Sequence, residues 1–373
     1  MNVIFTCGGT AGHINPAIAV ANILKERHPQ CKILFIGAKG HMEEKLVPKA
    51  GYELKCLPGS GLSRSVSFSG LKKNVKAMKS VLSAVGQCKR FIREFQADVV
   101  VGTGGYASYP ALHAASKLGI PTIVHEANAV PGLTTKLAAK TATRVLVAFE
   151  ESAQYYKKSE KVEVVGMPVR QEFVLTEQAA ARKELGLDNR PLVVSAFGSL
   201  GARAMNFAMA DFMKLEQEEG MPFQHIHATG TYGWEWMPKH LKELGVEAAS
   251  GLDVREYIYN MPTVMAAADV IISRAGASTL NEIGASGTPC ILIPSPNVTN
   301  DHQTKNAKVL VDRGGAVLIP EGEDMGKKLY DAVKELMANP EKRNRMSVAL
   351  QQSVIIDSAH RICNMIEELA AKG

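Results

Sequence analysis

The sequence predicts an α/β chain built from two Rossmann-like domains, each a parallel sheet with helices on both faces, followed by a helical C-terminal segment. Three observations carry that prediction. Short, almost continuously apolar runs alternate with helical patterns, as expected of strands buried on both sides. The alternation halts near the middle of the chain and then restarts. The 373 residues also exceed what a single hydrophobic core usually supports.

In the first half the strand-like runs are NVIFTC, KILFIG, DVVVGT, PTIVHE, RVLVAF and VEVVG, with helices expected from about Pro16 and from about Tyr109. After Gly166 the chain breaks at Met167-Pro168, passes a polar helix at Glu177 to Leu185, and begins again with PLVVSAFG, FQHIHATG, DVIISRAG, PCILIPSP and AVLIP. From about Asp324 to Ala371 only helical patterns remain. These readings give an N-terminal domain at 1–166, a second domain at 167–345 and a terminal helix at 346–373 expected to pack back on the first domain.

Composition narrows the function. Apolar residues make up 46% of the chain and charged residues 21%, an ordinary globular balance. No apolar run approaches the roughly 20 residues of a spanning helix, and MNVIFTCGGTAGH lacks the features of a secretory leader, so a cytoplasmic protein is expected. Cys7, Cys31, Cys56, Cys88, Cys290 and Cys363 show no CxxC pair; free buried thiols are expected and structural zinc is not. The net charge of +6 is uneven: Leu54 to Arg93 contains no Asp or Glu but nine Lys and Arg. Charge alone leaves nucleic acid, an anionic membrane or a phosphorylated substrate as its partner.

Three glycine-rich loops follow strands directly: CGGTAGH, GTGGYAS and FGSLGA. Such a loop, opening onto a helix, turns backbone N–H groups and the positive helix end toward an anion; a plain tight turn is the alternative for any one of them. Their spacing is neither GxGxxG nor GxxxxGK[ST], which disfavours dehydrogenases and P-loop NTPases. His13 closes the first loop, where a strand's C-terminal end meets the ligand crevice of an open sheet. It can take a proton near neutral pH, or serve only to start a helix. His125 and Glu126 end another strand, and His13 should be their neighbour; for His125 a hydrogen bond fixing the loop is the competing role.

The most specific stretch is SRAGASTLNEIGASGTPCILIPSPNVTNDHQTKNA. Its helix, expected from near Ser278, can face a diphosphate. Glu282 can accept from two vicinal ribose hydroxyls, or serve the helix dipole. Asp301, His302, Gln303 and Asn306 could read sugar hydroxyls, or form a solvated helix start.

These segments, with HEANAVPGLTTKLAA, GMPVR and YNMPTVMAAADVIISRAGASTLNEI, resemble the MurG family of bacterial UDP-N-acetylglucosamine transferases over essentially the whole chain. The resemblance implies a GT-B fold, two parallel sheets facing across a cleft, with UDP-GlcNAc on the C-terminal domain and a lipid acceptor on the first. It implies inverting transfer of GlcNAc to the muramyl 4-hydroxyl of lipid I, giving β-1,4-linked lipid II for peptidoglycan, with no cofactor. Thr10, Ala11 and Gly12 match the first loop that contacts the donor, Asn128 a sugar-side asparagine, Arg170 the arginine of the GNPVR element and Ser199 a serine near the diphosphate. Ile258 falls where the family touches uracil, Ala277, Ser278 and Thr279 at the helix start near the diphosphate, Glu282 on the ribose and Gln303 on the GlcNAc hydroxyls. His13 matches the proposed base and Glu126 an acidic neighbour in the acceptor cleft, and the resemblance implies these two as the catalytic residues.

No Asp-x-Asp occurs in the chain, so a metal-independent reaction is expected. Met167, Phe197 and Leu200 depart from the family pattern, and Ala11 stands where glycine is usual. Leu71, Val75, Met78, Val81, Leu82, Val85 and Cys88 are expected to form a core-facing stripe, and Leu62 to Gly70, with Arg64 and Phe68, to touch lipid. A peripheral protein on the cytoplasmic face of an anionic membrane follows, with no nucleic-acid partner. Another GT-B transferase such as a diacylglycerol glycosyltransferase, a UDP-GlcNAc epimerase and a nucleotide-sugar sensor remain as alternatives.

Overall fold

The computed structural model describes residues 1–58, 71–246 and 251–372, with backbone alone at 71–79 and at 299. The expected lipid-touching loop Leu62 to Gly70, and the side chains of Leu71, Val75 and Met78, lie outside the described residues. The chain divides into two compact units, Met1–Val169 with Ile355–Gly373, and Arg170–Val354. The sequence places these boundaries at 166/167 and 345/346. The second shift arises because the helix Pro340–Gln352 runs through the expected boundary, and its Met346 belongs to the second unit's core.

Among the described residues the first unit holds seven strands: β1 (Asn2–Thr6), β2 (Lys32–Ala38), β3 (Glu53–Leu57), β4 (Val99–Gly102), β5 (Thr122–Glu126), β6 (Arg144–Val147) and β7 (Val162–Val164). They form one sheet in the order β3-β2-β1-β4-β5-β6-β7. Every pairing is parallel, so all loops that follow strands leave from one edge. Val3, Ile4 and Phe5 are wholly buried because β1 is central and covered on both faces. On one face lie Ala17, Val20 and Leu24 of the helix Ala11–Arg27, joined by Ile362, Cys363, Ile366 and Leu369 of the helix Ser358–Ala370. Burial of such side chains contributes roughly 1.5–3 kcal/mol each. Arg27 pairs with Glu367 across that helix contact.

The other face is covered by the helices Leu71–Phe95 and Ser108–Lys117. Of the expected stripe, Cys88 is buried and Val81 and Val85 partly so, but Leu82 is 66% exposed. Ala84, Phe91 and Ile92 complete the buried face instead. Ala84 and Cys88, then Cys88 and Phe91, stand four and three apart, and Leu82 falls off that stripe.

The second unit repeats the scheme with β8 (Leu192–Ala196), β9 (Gln224–Ala228), β10 (Leu252–Arg255), β11 (Val270–Ser273), β12 (Cys290–Leu292) and β13 (Ala316–Leu318). Their order is β10-β9-β8-β11-β12-β13, again all parallel. Met205, Met209 and Phe212 of the helix Arg203–Glu218 pack with Leu329, Val333 and Leu336 of Met325–Met337. All six cysteines are free thiols and five are buried. Among the described residues no helix is long and apolar enough to cross a membrane.

Two strands, β3 and β10, and the true start of the first helix differ from the sequence reading. That helix begins at Ala11 and carries Pro16 inside it.

Candidate active site

An open parallel sheet binds ligands outside its C-terminal edge, where the strand order reverses and adjacent loops diverge. In the first sheet that point lies between β1 and β4, and the loops leaving it are Gly8 to Thr10 and Thr103 to Gly105. In the second it lies between β8 and β11, flanked by Gly198 to Gly201 and by Arg274 to Gly276. All three glycine-rich loops of the sequence therefore stand at switch points.

In the first unit, Thr10 is the exposed residue before the helix, and Ala11, Gly12 and His13 form its first turn, all partly buried. The His13 ring packs on Gly104, where an added methyl group would come within 2.6 Å of Nδ1. His13 Nδ1 lies 3.1 Å from the Thr103 carbonyl oxygen, while the Thr103 hydroxyl donates to the His13 carbonyl at 2.6 Å. A carbonyl only accepts, so Nδ1 carries the proton and Nε2 is the basic nitrogen of the neutral ring.

Glu126, at the end of β5, is buried. Its Oε1 accepts from the Asn128 backbone and side-chain nitrogens, both at 2.9 Å, and Oε2 from the Gly132 N–H at 3.0 Å. Both oxygens thus tie down the loop that follows β5. His125 is also buried and its Nε2 donates to the Gly166 carbonyl at 2.8 Å. Burial holds the His125 imidazole below its usual pKa, and the nearby His13 pushes it the same way. His13 and the His125-Glu126 pair are neighbours, as the sequence reading held; His125 fixes the chain at Gly166.

In the second unit Ser199 is exposed, and its carbonyl accepts from the Thr231 N–H at 3.3 Å. Gly201 and Gly230, both at positive φ, bring the loops after β8 and β9 into backbone contact, and a methyl group on Gly201 would strike the Thr229 carbonyl. Ile258 is buried between exposed Tyr257 and Tyr259. The helix Ala277–Ser286 follows β11 and stops at Gly287 in the left-handed region. Its first residues, Ala277, Ser278 and Thr279, turn their backbone N–H groups toward the helix's N-terminal end.

Glu282 is partly buried on that helix; burial pushes its carboxyl up to about 7, and the guanidinium of Arg170 pulls the other way. Arg170 is exposed and lies over the Phe173 ring. Gln303 accepts from the Ser295 N–H at 2.9 Å, which leaves its NH₂ as the donating end. Arg274, beside the helix start, bonds the Ile293 and Pro294 carbonyls and pairs with Glu321, bracing the loop after β12. Of the departures from the family pattern, Met167 and Phe197 are buried and Leu200 is 55% exposed.

Sequence reasoning missed Thr103 and Glu43. Thr103 sits inside a glycine loop without a pattern of its own. Glu43 is one of two adjacent glutamates, and only the fold makes one buried and the other exposed.

Two parallel sheets with their polar and glycine-rich loops gathered at the switch points define the two-domain architecture of nucleotide-sugar glycosyltransferases. The glycosyltransferase family 28 N-terminal domain matches residues 3–147 and the family's C-terminal domain residues 192–362; the chain belongs to that family. A relative from Thermoanaerobacter sp. (strain X514), the UDP-N-acetylglucosamine--N-acetylmuramyl-(pentapeptide) pyrophosphoryl-undecaprenol N-acetylglucosamine transferase, is 40% identical over 99% of this chain and 100% of its own. The Bacillus cytotoxicus protein of the same name is 37% identical over the whole of both chains. The crystal structure of Acinetobacter baumannii MurG superposes with a TM-score of 0.76 at 26% identity, covering 98% of this chain and 99% of that one. S. aureus MnaA with UDP shares the fold, with a TM-score of 0.68 at 14% identity over 98% of this chain and 96% of that one.

Proposed function

We propose that this enzyme transfers GlcNAc from UDP-GlcNAc to the muramyl 4-hydroxyl of lipid I, inverting the anomeric carbon to give lipid II. Full-length identity to relatives named for that transfer supports the reaction. The observation that carries the mechanism is the His13 ring, whose Nδ1–H is committed to the Thr103 carbonyl. Nε2 takes the proton from the muramyl O4–H as that oxygen attacks C1; the bond from C1 to the β-phosphate oxygen breaks, and UDP leaves as an anion. Glu126 holds the neighbouring loop and does not exchange the proton, which departs from a catalytic role for it.

Donor recognition falls to the second unit. The N–H groups of Ala277, Ser278 and Thr279, the loop with Ser199, and Arg170 meet the diphosphate charge. Ile258 offers its backbone to uracil, Glu282 accepts from the ribose hydroxyls and Gln303 donates to GlcNAc. Thr10, Ala11, Gly12 and Asn128 line the sugar side. The reaction takes place at the cytoplasmic face of the membrane, where the protein is peripheral: the relatives' names specify an undecaprenol-linked acceptor, and the acid-free run from Leu54 to Arg93 attracts anionic headgroups.

The test is transfer of radiolabelled GlcNAc to a short-chain lipid I analogue with chelator present. Turnover should persist in chelator, fall about 10²–10⁴-fold in His13→Ala, the usual contribution of a general base, and show a raised donor KM in Glu282→Ala. Full activity of His13→Ala, or loss of turnover in chelator, would overturn the mechanism.

A further inference from the structure

Glu43 begins the short helix Glu43–Lys49 and is wholly buried. A buried carboxylate is costly unless its oxygens are matched. Here Oε1 accepts from the Ala38 N–H at 3.0 Å and Oε2 from the Gly9 N–H at 3.2 Å. Ala38 ends β2, and Gly9, at φ 89, is the turning point of the loop that leads into His13. The side chain therefore ties the first glycine loop to the adjacent strand.

The same loop is pinned from its other side. Gly105 lies against the Gly8 backbone so closely that a methyl group there would strike the Gly8 carbonyl. Gly104 and Thr103 hold the His13 ring. Glu43, Gly9, His13, Thr103 and Gly105 thus close a ring of contacts around the first turn of the helix. One side of that ring rests on a single carboxylate bond to a peptide at positive φ, a conformation that only glycine adopts cheaply.

We propose that Glu43 is a positioning residue for the transfer: by fixing the Gly9 peptide it sets the entry of the helix and hence the direction of His13 Nε2. This rests on His13 being the base. Glu43 is wholly buried, so its contribution passes through the Gly9 peptide and the helix entry that carry His13. A carboxamide of the same shape can accept from one of the two N–H groups but meets the other with its own NH₂, so Glu43→Gln releases one anchor without opening a cavity.

The experiment is a kinetic cycle of wild type, Glu43→Gln, His13→Ala and the double variant, with UDP-GlcNAc affinity measured calorimetrically on each. Glu43→Asp, too short to span both N–H groups, stands in if Glu43→Gln does not fold. In the wild-type background kcat should fall about tenfold or more, the scale of a small misplacement, with donor affinity within about twofold. In the His13→Ala background the same change should cost less than about twofold, because the interaction it serves is gone. An unchanged kcat in Glu43→Gln overturns the proposal, as does a loss that multiplies undiminished with His13→Ala. Activity retained by His13→Ala alone sinks the base assignment itself, whatever Glu43 does.

Discussion

At the scale of single residues the proposed donor site turns on the charge state of Glu282. Burial raises its carboxyl to about 7, so the group is largely protonated in mildly acidic solution. Two ribose hydroxyls donate best to the ionised form. Donor affinity should therefore weaken as pH falls through about 7, approaching a tenfold loss per pH unit once the carboxyl is protonated. Glu282→Gln should bind weakly and without this slope. Calorimetric titration of UDP-GlcNAc between pH 5.5 and 8.5 measures both, and a flat wild-type profile would contradict the assignment.

The legible part of the site lay at strand ends and in the loops and helix starts that follow them. Glu126 ends β5 and His13 follows the first glycine loop on the opening turn of its helix, while Glu282 and Gln303 stand on later helices and Ser199 was given only by the family resemblance. Their division of labour was not legible. Glu126 spends both oxygens on the Asn128 to Gly132 loop, and nothing in the local sequence distinguishes such a brace from a catalytic acid. Glu43 carried no signal, since its burial depends on the distant Gly9 arriving beside it.

Elements were read most surely where they are central. β1, β4, β8 and β11 are buried on both faces and appear as unbroken apolar runs. β7 and β13 are edge strands whose apolar runs were still legible, whereas β3 and β10, at the opposite edges, went unread. Their sequences, ELKCL and LDVR, carry the charged side chains that edges use to resist further pairing. The first helix was placed late because Gly12 and Pro16 lower its intrinsic preference, which tertiary packing overrides.

The glycine loops make a prediction at this scale. Gly105→Ala combines a positive φ with a collision against the Gly8 carbonyl, whereas Gly119→Ala has a positive φ and open space. Urea unfolding should show Gly105→Ala destabilised by more than about 2 kcal/mol and Gly119→Ala by about 1 kcal/mol. Equal costs would mean that the two first-unit loops do not pack as described.

A second element-scale prediction concerns the core of the Arg170–Val354 unit. Glu216 accepts from His225 Nδ1 at 2.8 Å, and Ser195 bridges His225 Nε2 and His227 Nδ1, both at 2.7 Å. Burial lowers His227 to about 3, well below the ordinary value near 6.5. The unfolded chain therefore takes up a proton that the native state refuses. Stability is fully present above about pH 6.5 and is lost as pH falls toward 3, on the order of 1 kcal/mol per pH unit from this group. Thermal melts from pH 7 to pH 4 should fall less steeply in His227→Asn than in wild type.

For the whole molecule, two cores in one chain explain why the pattern restarts. Terminal helices without strands were legible, but the boundary between the cores was not, because both Pro340–Gln352 and Ser358–Ala370 read simply as helices, and which core each serves is decided by tertiary packing. Removing residues 355–373 strips Ile362, Cys363, Ile366 and Leu369 from the first core alone. Limited proteolysis of that truncation should cut first within 1–169 and leave 170–354 protected; simultaneous loss of both would show that the two cores do not stand independently.

The central claim is transfer to a lipid-linked acceptor, and the two-domain fold does not by itself separate this from chemistry on the donor alone. The most direct measurement incubates the enzyme with carbon-13-labelled UDP-GlcNAc, with and without a short-chain lipid I analogue, and follows the sugar by NMR. The account predicts no change to the sugar without acceptor, and with it a β-linked disaccharide released together with UDP. Conversion of UDP-GlcNAc to its C2 epimer without acceptor, or an α-linked product, would contradict it.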